Sequence, residues 1–294
     1  MKQVSNIHIT QNLYVKQEYN NHPVISGNKY RKLNYNLIEA KKQGYKTLLT
    51  FGGAYSNHIS AVALAGPVFD FKTIGIIRGE ELATKIDNNH TLKKAAEEGM
   101  QLKFITREAF RNKTQPLFLE ELQLEFGPFY LLPEGGTNAL AVKGCEEILT
   151  PDDAVYDVIC CPVGTGGTMA GIINSSFPHQ KIFGFSALKG DFLKPDIAKF
   201  AQRDNWELIS DYHFGGYAKI NHELISFINQ FKDHYDIPLD PVYTGKMLYG
   251  LFDMIKRNQI AANAKILAIH TGGLQGICGM NERLKKMKLP LIQT

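Results

Sequence analysis

The chain has 294 residues and a formal net charge of +4, from 33 Lys+Arg against 29 Asp+Glu, with 44% hydrophobic and 21% charged side chains. This is the composition of a globular protein with one large or two modest cores, and it excludes disorder, collagen and coiled coil. The charges form no like-charge block, so neither a nucleic-acid nor a membrane partner is marked, and a small molecule is the expected ligand.

The opening stretch MKQVSNIHITQNLYVKQEY mixes charged and apolar residues where a secretory signal needs an unbroken apolar run. No segment is long enough to cross a bilayer, and a cytoplasmic protein is expected. Four cysteines in a chain of this length make no disulfide framework. Cys160 and Cys161 lie in the apolar run VYDVICCPV, where neighbouring strand residues face opposite ways, and the cysteines read as inert core thiols. The nine histidines show neither HExxH nor paired Cys/His spacing, so no metal is expected.

In chain order, the segment SGNKYRKL opens an amphipathic helix running through Leu37, Ile38 and Ala40. Strands are predicted at KTLLTF (46–51), FKTIGII (71–77), LKFIT (102–106), VYDVICCPV (155–163), KIFGFSAL (181–188) and KILAIHT (265–271). Helices are predicted from about Asn57, at TLKKAAEEG, at LFLEELQLEF and from about Gly167. Such alternation reads as βαβ units, hence an α/β fold with open, mainly parallel sheets flanked by helices. Gly127-Pro128 and Pro133-Glu134-Gly135-Gly136 interrupt the series near its middle, which predicts two domains. Ligands of open α/β sheets collect beyond the carboxyl ends of the strands, and three loops there are glycine-rich.

The loop Gly164-Thr165-Gly166-Gly167-Thr168 follows an apolar strand and opens a helix. Glycines permit close backbone approach, the helix start offers unpaired N–H groups, and threonine hydroxyls add donors, a combination suited to a phosphate monoester. It is neither a dinucleotide fingerprint, which needs glycine at Met169, nor a P-loop, which needs a Lys-Ser/Thr pair. Lys29 stands at a helix start beside Arg31 and Lys32, and the dipole and both charges disfavour its ammonium form. A neutral amine is what an imine-forming lysine requires, although a solvated first turn is the bland alternative. In Gly52-Gly53-Ala54-Tyr55-Ser56-Asn57-His58, Ser56 and Asn57 stand at an N-cap, and the dipole disfavours a charged His58. Tyr243 can move a proton, and a threonine hydroxyl such as Thr244 or Thr271 can bond a heteroaromatic nitrogen without charging it. Five such loops converge on a phosphorylated aromatic aldehyde held by lysine, namely pyridoxal phosphate.

Read together, SGNKYRKL, GGAYSNH, PEGGTNALAVKG, VGTGGTMAG, FGGYAKI, DPVYTGK and IHTGG resemble the ordered motifs of the 1-aminocyclopropane-1-carboxylate deaminase/D-cysteine desulfhydrase family, from about residue 12 to 276. That family belongs to the tryptophan-synthase-β-like, fold type II pyridoxal-phosphate enzymes. The resemblance implies a smaller α/β domain over 33–130, a larger cofactor-binding domain from 1–32 and 131–294, and a homodimer. It implies that Lys29 is the Schiff-base lysine, that Asn57 bonds the pyridine 3-oxygen, and that Lys32 with the 164–168 loop holds the phosphate. Ser56, Asn57, His58, Tyr217 and Tyr243 would face the substrate, Ser56 and the two tyrosines binding its carboxylate or moving protons. Thr244 and Thr271 would approach the ring nitrogen.

Within that family, deaminases resemble one another in carrying Glu, Leu and Gln at the positions of Thr244, Thr271 and His58, whereas desulfhydrases carry Thr, Thr and His. This chain has the desulfhydrase set. A carboxylate at the ring nitrogen strengthens the electron sink that a cyclopropane demands, while thiolate loss needs less help. The chain departs from the family in a short amino terminus and in VKQEYNN before the lysine motif. The expected activity is a lyase converting D-cysteine to pyruvate, sulfide and ammonia. Its rivals are deamination of the cyclopropane amino acid to 2-oxobutyrate and a phosphate-ligand-binding protein without turnover. Acid and base roles among Lys29, Ser56 and Tyr243 stay open.

Overall fold

The β-branched runs form two open sheets in a computed structural model that describes residues 4–294. The chain starts with a hairpin, β1 (Asn6–Thr10) and β2 (Leu13–Lys16), and enters α1 (Asn28–Lys42). Then come β3 (Thr47–Gly52), α2 (Asn57–Phe69), β4 (Lys72–Arg78), α3 (His90–Glu97), β5 (Gln101–Ile105), α4 (Arg107–Arg111), α5 (Pro116–Phe126) and β6 (Tyr130–Leu132). The second half runs α6 (Ala139–Cys145), β7 (Val158–Val163), α7 (Gly167–Ser175), β8 (Lys181–Ser186), α8 (Lys194–Ala198) and β9 (Trp206–Ile209). It ends with α9 (His222–Tyr235), α10 (Thr244–Lys256), β10 (Ile266–Ile269) and α11 (Gly276–Met287).

The smaller sheet, ordered β5-β4-β3-β6, is parallel throughout. The larger, β1-β2-β10-β7-β8-β9, is parallel except between β1 and β2. The expected α/β class is found, and the six predicted strands are present with ends shifted by at most three residues. Strands β1, β2, β6 and β9 lay outside the sequence reading. Three of them are sheet edges, with no neighbour on one side and hence no continuous apolar run.

Parallel strands covered on both faces need apolar side chains at successive positions. In the smaller sheet Leu48 and Ile77 pack with α1 and α2, while Leu49, Phe51 and Ile76 face α5. In the larger, Cys160 faces α9 and α10, and Cys161 faces α7. Both are buried thiols, as is Cys145, but Cys278 on α11 is exposed and is no core residue. Among the described residues no helix is long and apolar enough to cross a membrane, and no cluster of three or more His, Cys, Asp or Glu could hold a metal ion.

Two contacts fix the start of α1. Gly27, at φ +68°, lies so near the loop after β10 that a Cβ there would stand 2.0 Å from the Thr271 carbonyl oxygen, which accepts the Asn28 N–H at 3.0 Å. The buried Glu18 carboxylate accepts from Arg31 Nε at 3.0 Å, Arg31 Nη2 at 2.9 Å and Asn21 Nδ2 at 2.8 Å. A charged pair taken out of water is tolerated while it stays paired and is costly when one partner goes. Glu18→Ala is therefore expected to cost about 3–5 kcal/mol, read as a lower urea midpoint at unchanged slope.

Candidate active site

The loops leaving β3, β7 and β10 meet around a cavity of about 960 Å³. Lys29, Lys32, Ser56, Asn57, His58, Gly164, Thr165, Gly166, Thr168, Tyr217, Tyr243 and Thr271 line it. Residues separated by up to 242 positions in sequence thus share one wall, while Gly167 and Thr244 lie outside the lining.

Lys29 occupies the first turn of α1 and is half-buried, its Nζ donating to Asn28 Oδ1 at 3.2 Å. Enclosure by protein lowers its pKa to about 7, with the neighbouring Lys32 charge acting in the same sense. Burial thus leads where the sequence reading had invoked the dipole and two cations. Arg31 turns away to Glu18 and is not among the causes. Neutral and charged forms of Lys29 are both accessible near pH 7.

Lys32, buried one turn on, donates to Thr137 Oγ1 at 2.9 Å, Gly135 O at 3.0 Å and Thr165 Oγ1 at 3.3 Å. The Thr137 and Thr165 hydroxyls are 2.7 Å apart, and Asn28 Nδ2 donates to Thr168 Oγ1 at 2.8 Å. Gly166 takes φ +81° just ahead of α7. A Cβ on Gly167 would stand 2.7 Å from Thr137 Cγ2, so that glycine is needed for packing beneath the loop. Ammonium, hydroxyls and the helix start make an anion cradle. Thr137 and Asn28 were missed from sequence, although both stand in motifs quoted there.

His58 is buried at the cavity wall, and neither Nδ1 nor Nε2 has a hydrogen-bond partner. Burial, then the charges of Lys29 and Lys32, hold its pKa well below the ordinary value, so the ring is neutral. An orphaned pair of ring nitrogens at a cavity wall is what a bound polar group would satisfy. Ser56 Oγ caps α2, accepting from the N–H groups of His58 at 3.2 Å and Ile59 at 3.3 Å. Asn57 Oδ1 accepts from Gln275 Nε2.

Tyr217 and Tyr243 meet edge to face with centroids 6.3 Å apart. Burial raises the pKa of both phenols, so each is a proton donor at neutral pH. Lys246, a buried lysine, donates to the carbonyls of His213 and Gly216 at 2.8 Å each and so fixes the loop that carries Tyr217. Asp240 anchors the start of α10. Its Oδ1 accepts from the N–H groups of Val242 at 2.9 Å and Tyr243 at 2.8 Å, and its Oδ2 accepts from Thr244 N and Thr244 Oγ1 at 2.9 Å each. Thr244 Oγ1 also accepts the Asp240 N–H at 3.0 Å. Thr244, expected near a ring nitrogen, has its hydroxyl engaged by the Asp240 turn, and of the two threonines only Thr271 lines the cavity.

The sequence matches the family described as pyridoxal-phosphate dependent enzyme over residues 2–272. The chain belongs to the pyridoxal-phosphate-dependent enzymes. It is 31% identical to a bifunctional D-cysteine desulfhydrase/1-aminocyclopropane-1-carboxylate deaminase, mitochondrial, of Arabidopsis thaliana, over 90% of this chain and 73% of that protein. It is 27% identical to a D-cysteine desulfhydrase of Yersinia pestis, over 90% of this chain and 88% of the relative. A crystal structure of a homologue of 1-aminocyclopropane-1-carboxylate deaminase superposes with a TM-score of 0.82 at 28% identity, covering 94% of this chain and 88% of the other.

This pyridoxal-phosphate enzyme has residues that suit the cofactor. An amine with pKa about 7 faces the cavity that Lys32 and Thr165 of the cradle also line, and His58 offers two unsatisfied nitrogens between the fields of Lys29 and Lys32. Only the neutral amine attacks an aldehyde. The rate at which the apo-protein captures pyridoxal phosphate should therefore rise as pH increases through about 7 and level off above it, followed by stopped-flow absorbance. Lys29→Ala should abolish the borohydride-stable adduct.

Proposed function

We propose that this enzyme is a lyase acting on a small amino acid, with D-cysteine as the foremost substrate and pyruvate, sulfide and ammonia as products. The observation that carries the reading is the single cavity that joins a near-neutral Lys29 to the anion cradle around Lys32. Bound there, pyridoxal phosphate supplies the electron sink that stabilises negative charge at the substrate α-carbon. Lys32, Thr165, Thr168 and the glycines of the 164–168 loop would hold its phosphate, and Asn57, His58 and Thr271 would hold its ring.

The chain's own groups then divide the proton work. Lys29 Nζ, neutral for much of its time near pH 7, removes the proton from Cα. Ser56, at the positive dipole end of α2, binds the substrate carboxylate. Tyr243, a phenol held protonated by burial, donates toward the departing β-sulfur, and Tyr217 closes the same side. Breaking Cα–H and Cβ–S leaves an unsaturated amine, which one water converts to pyruvate and ammonia.

Thiolate loss is favoured over cyclopropane opening by the state of the carboxylate at the cavity wall. Asp240 has both oxygens occupied by four hydrogen bonds at the start of α10, and position 244 holds threonine, so no free carboxylate is offered to charge a ring nitrogen. The rival deaminase reading draws on the name of the Arabidopsis relative, which carries both activities. The same proposal takes the two sheets as cores of two domains, 33–130 and the remainder, carries a homodimer over from the resemblance, and keeps the cytoplasmic placement expected from the opening stretch.

Side-by-side assay of D-cysteine, L-cysteine, D-serine and the cyclopropane amino acid is the test. Sulfide and pyruvate should form from D-cysteine with kcat/KM at least about tenfold above any 2-oxobutyrate formation, and Lys29→Ala should lose on the order of a thousandfold. Predominant 2-oxobutyrate would transfer the assignment to the deaminase. A protein that binds no pyridoxal phosphate would be left as a phosphate-ligand binder.

A further inference from the structure

Beyond the anchoring lysines, the cavity mouth is rich in cations. Arg107 and Lys113 are neutralised by Glu81 and Glu134 respectively, but Arg78, Arg111 and Arg283 have no carboxylate partner among the described residues. Against a chain whose formal charge is only +4, three unpaired arginines at one opening are a concentrated positive field.

Arg78 is the best placed of the three. It is the last residue of β4, at the carboxyl end of the smaller sheet, beside the loop that leads into Ser56 and Asn57. Its Nη2 lies 3.6 Å from where a Cβ on Gly53 would stand, and its guanidinium carbon is 5.7 Å from the centroid of Phe110, which seats it. Arg78 and Tyr217 both line the cavity, where burial raises the Tyr217 pKa and the Arg78 charge partly opposes that rise. Arg78 therefore sits beside the loop expected to bind the α-carboxylate and shares the cavity with the tyrosine expected to face the β-substituent. Arg283, on α11, also lines the cavity and donates to Ala218 O at 3.1 Å next to Tyr217.

We propose that Arg78, with Arg283 in the same cavity lining, forms a subsite for an anionic side chain, so that the enzyme takes small amino acids with an oxyanionic β-substituent in preference to their neutral isosteres. This rests on the lyase reading above and extends it past cysteine. The chemistry balances without a further reactant. For O-phosphoserine the Cα proton passes to Lys29, the Cβ–O bond breaks with its electron pair leaving on phosphate, and one water carries the unsaturated amine to pyruvate and ammonia. Guanidinium suits this role because it bonds carboxylate or phosphate oxygens in pairs.

The test uses the pyridoxal-phosphate-loaded full chain and matched pairs, each in both enantiomers. Aspartate and asparagine are compared as ligands by absorbance titration, and O-phosphoserine and O-acetylserine as substrates by pyruvate release. The unmodified enzyme should favour the anion of each pair about tenfold or more, with the preference falling as salt rises. Arg78→Met should bring each ratio close to one, and Arg78→Lys should restore part of it. Cofactor absorbance and borohydride capture at Lys29 verify that each variant is folded and loaded. A ratio at or below one in the unmodified enzyme, or one that Arg78→Met leaves unchanged, overturns the subsite. If no amino acid is turned over, the lyase reading falls by itself, and the aspartate-to-asparagine ratio still decides this one.

Discussion

The site depends on withdrawing one amine from water. An exposed lysine is almost wholly protonated at neutral pH, and protonated it can neither attack an aldehyde nor take a proton. Lys29 escapes that state mainly through enclosure, with Lys32 reinforcing the effect. Lys32 is itself buried and lowered to about 8, its ammonium held by two threonine hydroxyls and a carbonyl rather than by a carboxylate. Had an acid stood beside Lys32, it would have neutralised the cradle and removed one of the influences that keeps Lys29 deprotonated. Arg31, the third cation of the same turn, is drawn away by Glu18, so one helix start serves three electrostatic purposes.

Much of this was legible in the sequence because parallel sheets buried on both faces leave apolar runs, and functional loops leave glycines. KTLLTF, VYDVICCPV and KILAIHT became β3, β7 and β10, whose carboxyl ends carry the site. Lys29, Lys32, Ser56–His58 and, of the 164–168 loop, all but Gly167 line the cavity. What stayed hidden has physical causes. Edge strands β1, β6 and β9 have too little buried surface to print a pattern. Arg78 ends a strand and reads as an ordinary polar terminus. The partners of Thr244 and Lys32 come from elsewhere in the chain or from a turn whose geometry periodicity does not encode.

Asp240 shows why motif residues can exchange roles in space. The DPVYTGK segment places Asp240 four residues ahead of Thr244, and an acid there can bond the N–H groups of the following turn. The structure uses it that way, fixing Tyr243 and engaging the Thr244 hydroxyl, so a carboxylate lining the cavity acts on the backbone instead of on a ligand. His270 behaves similarly. Buried and neutral, it donates from Nε2 to Pro238 O at 2.8 Å and accepts the Gly272 N–H at Nδ1 at 3.3 Å, shaping the turn after Thr271.

The loop bearing Tyr217 carries the argument from electrostatics to backbone strain. Phe214, Gly215, Gly216 and Ala218 all take positive φ, at 54°, 93°, 118° and 53°. Glycine accepts this readily, but each of the two other residues costs about 1–2 kcal/mol, so the conformation persists only if held from outside. Lys246 supplies the hold with two charge-assisted bonds to the carbonyls of His213 and Gly216. Because Lys246 and Tyr243 both belong to the DPVYTGK segment, the turn that aims one tyrosine also anchors the loop presenting the other. The Tyr217–Tyr243 pair is thereby set by a single local structure, and a shift in the Asp240 cap would move both phenols together rather than one against the other.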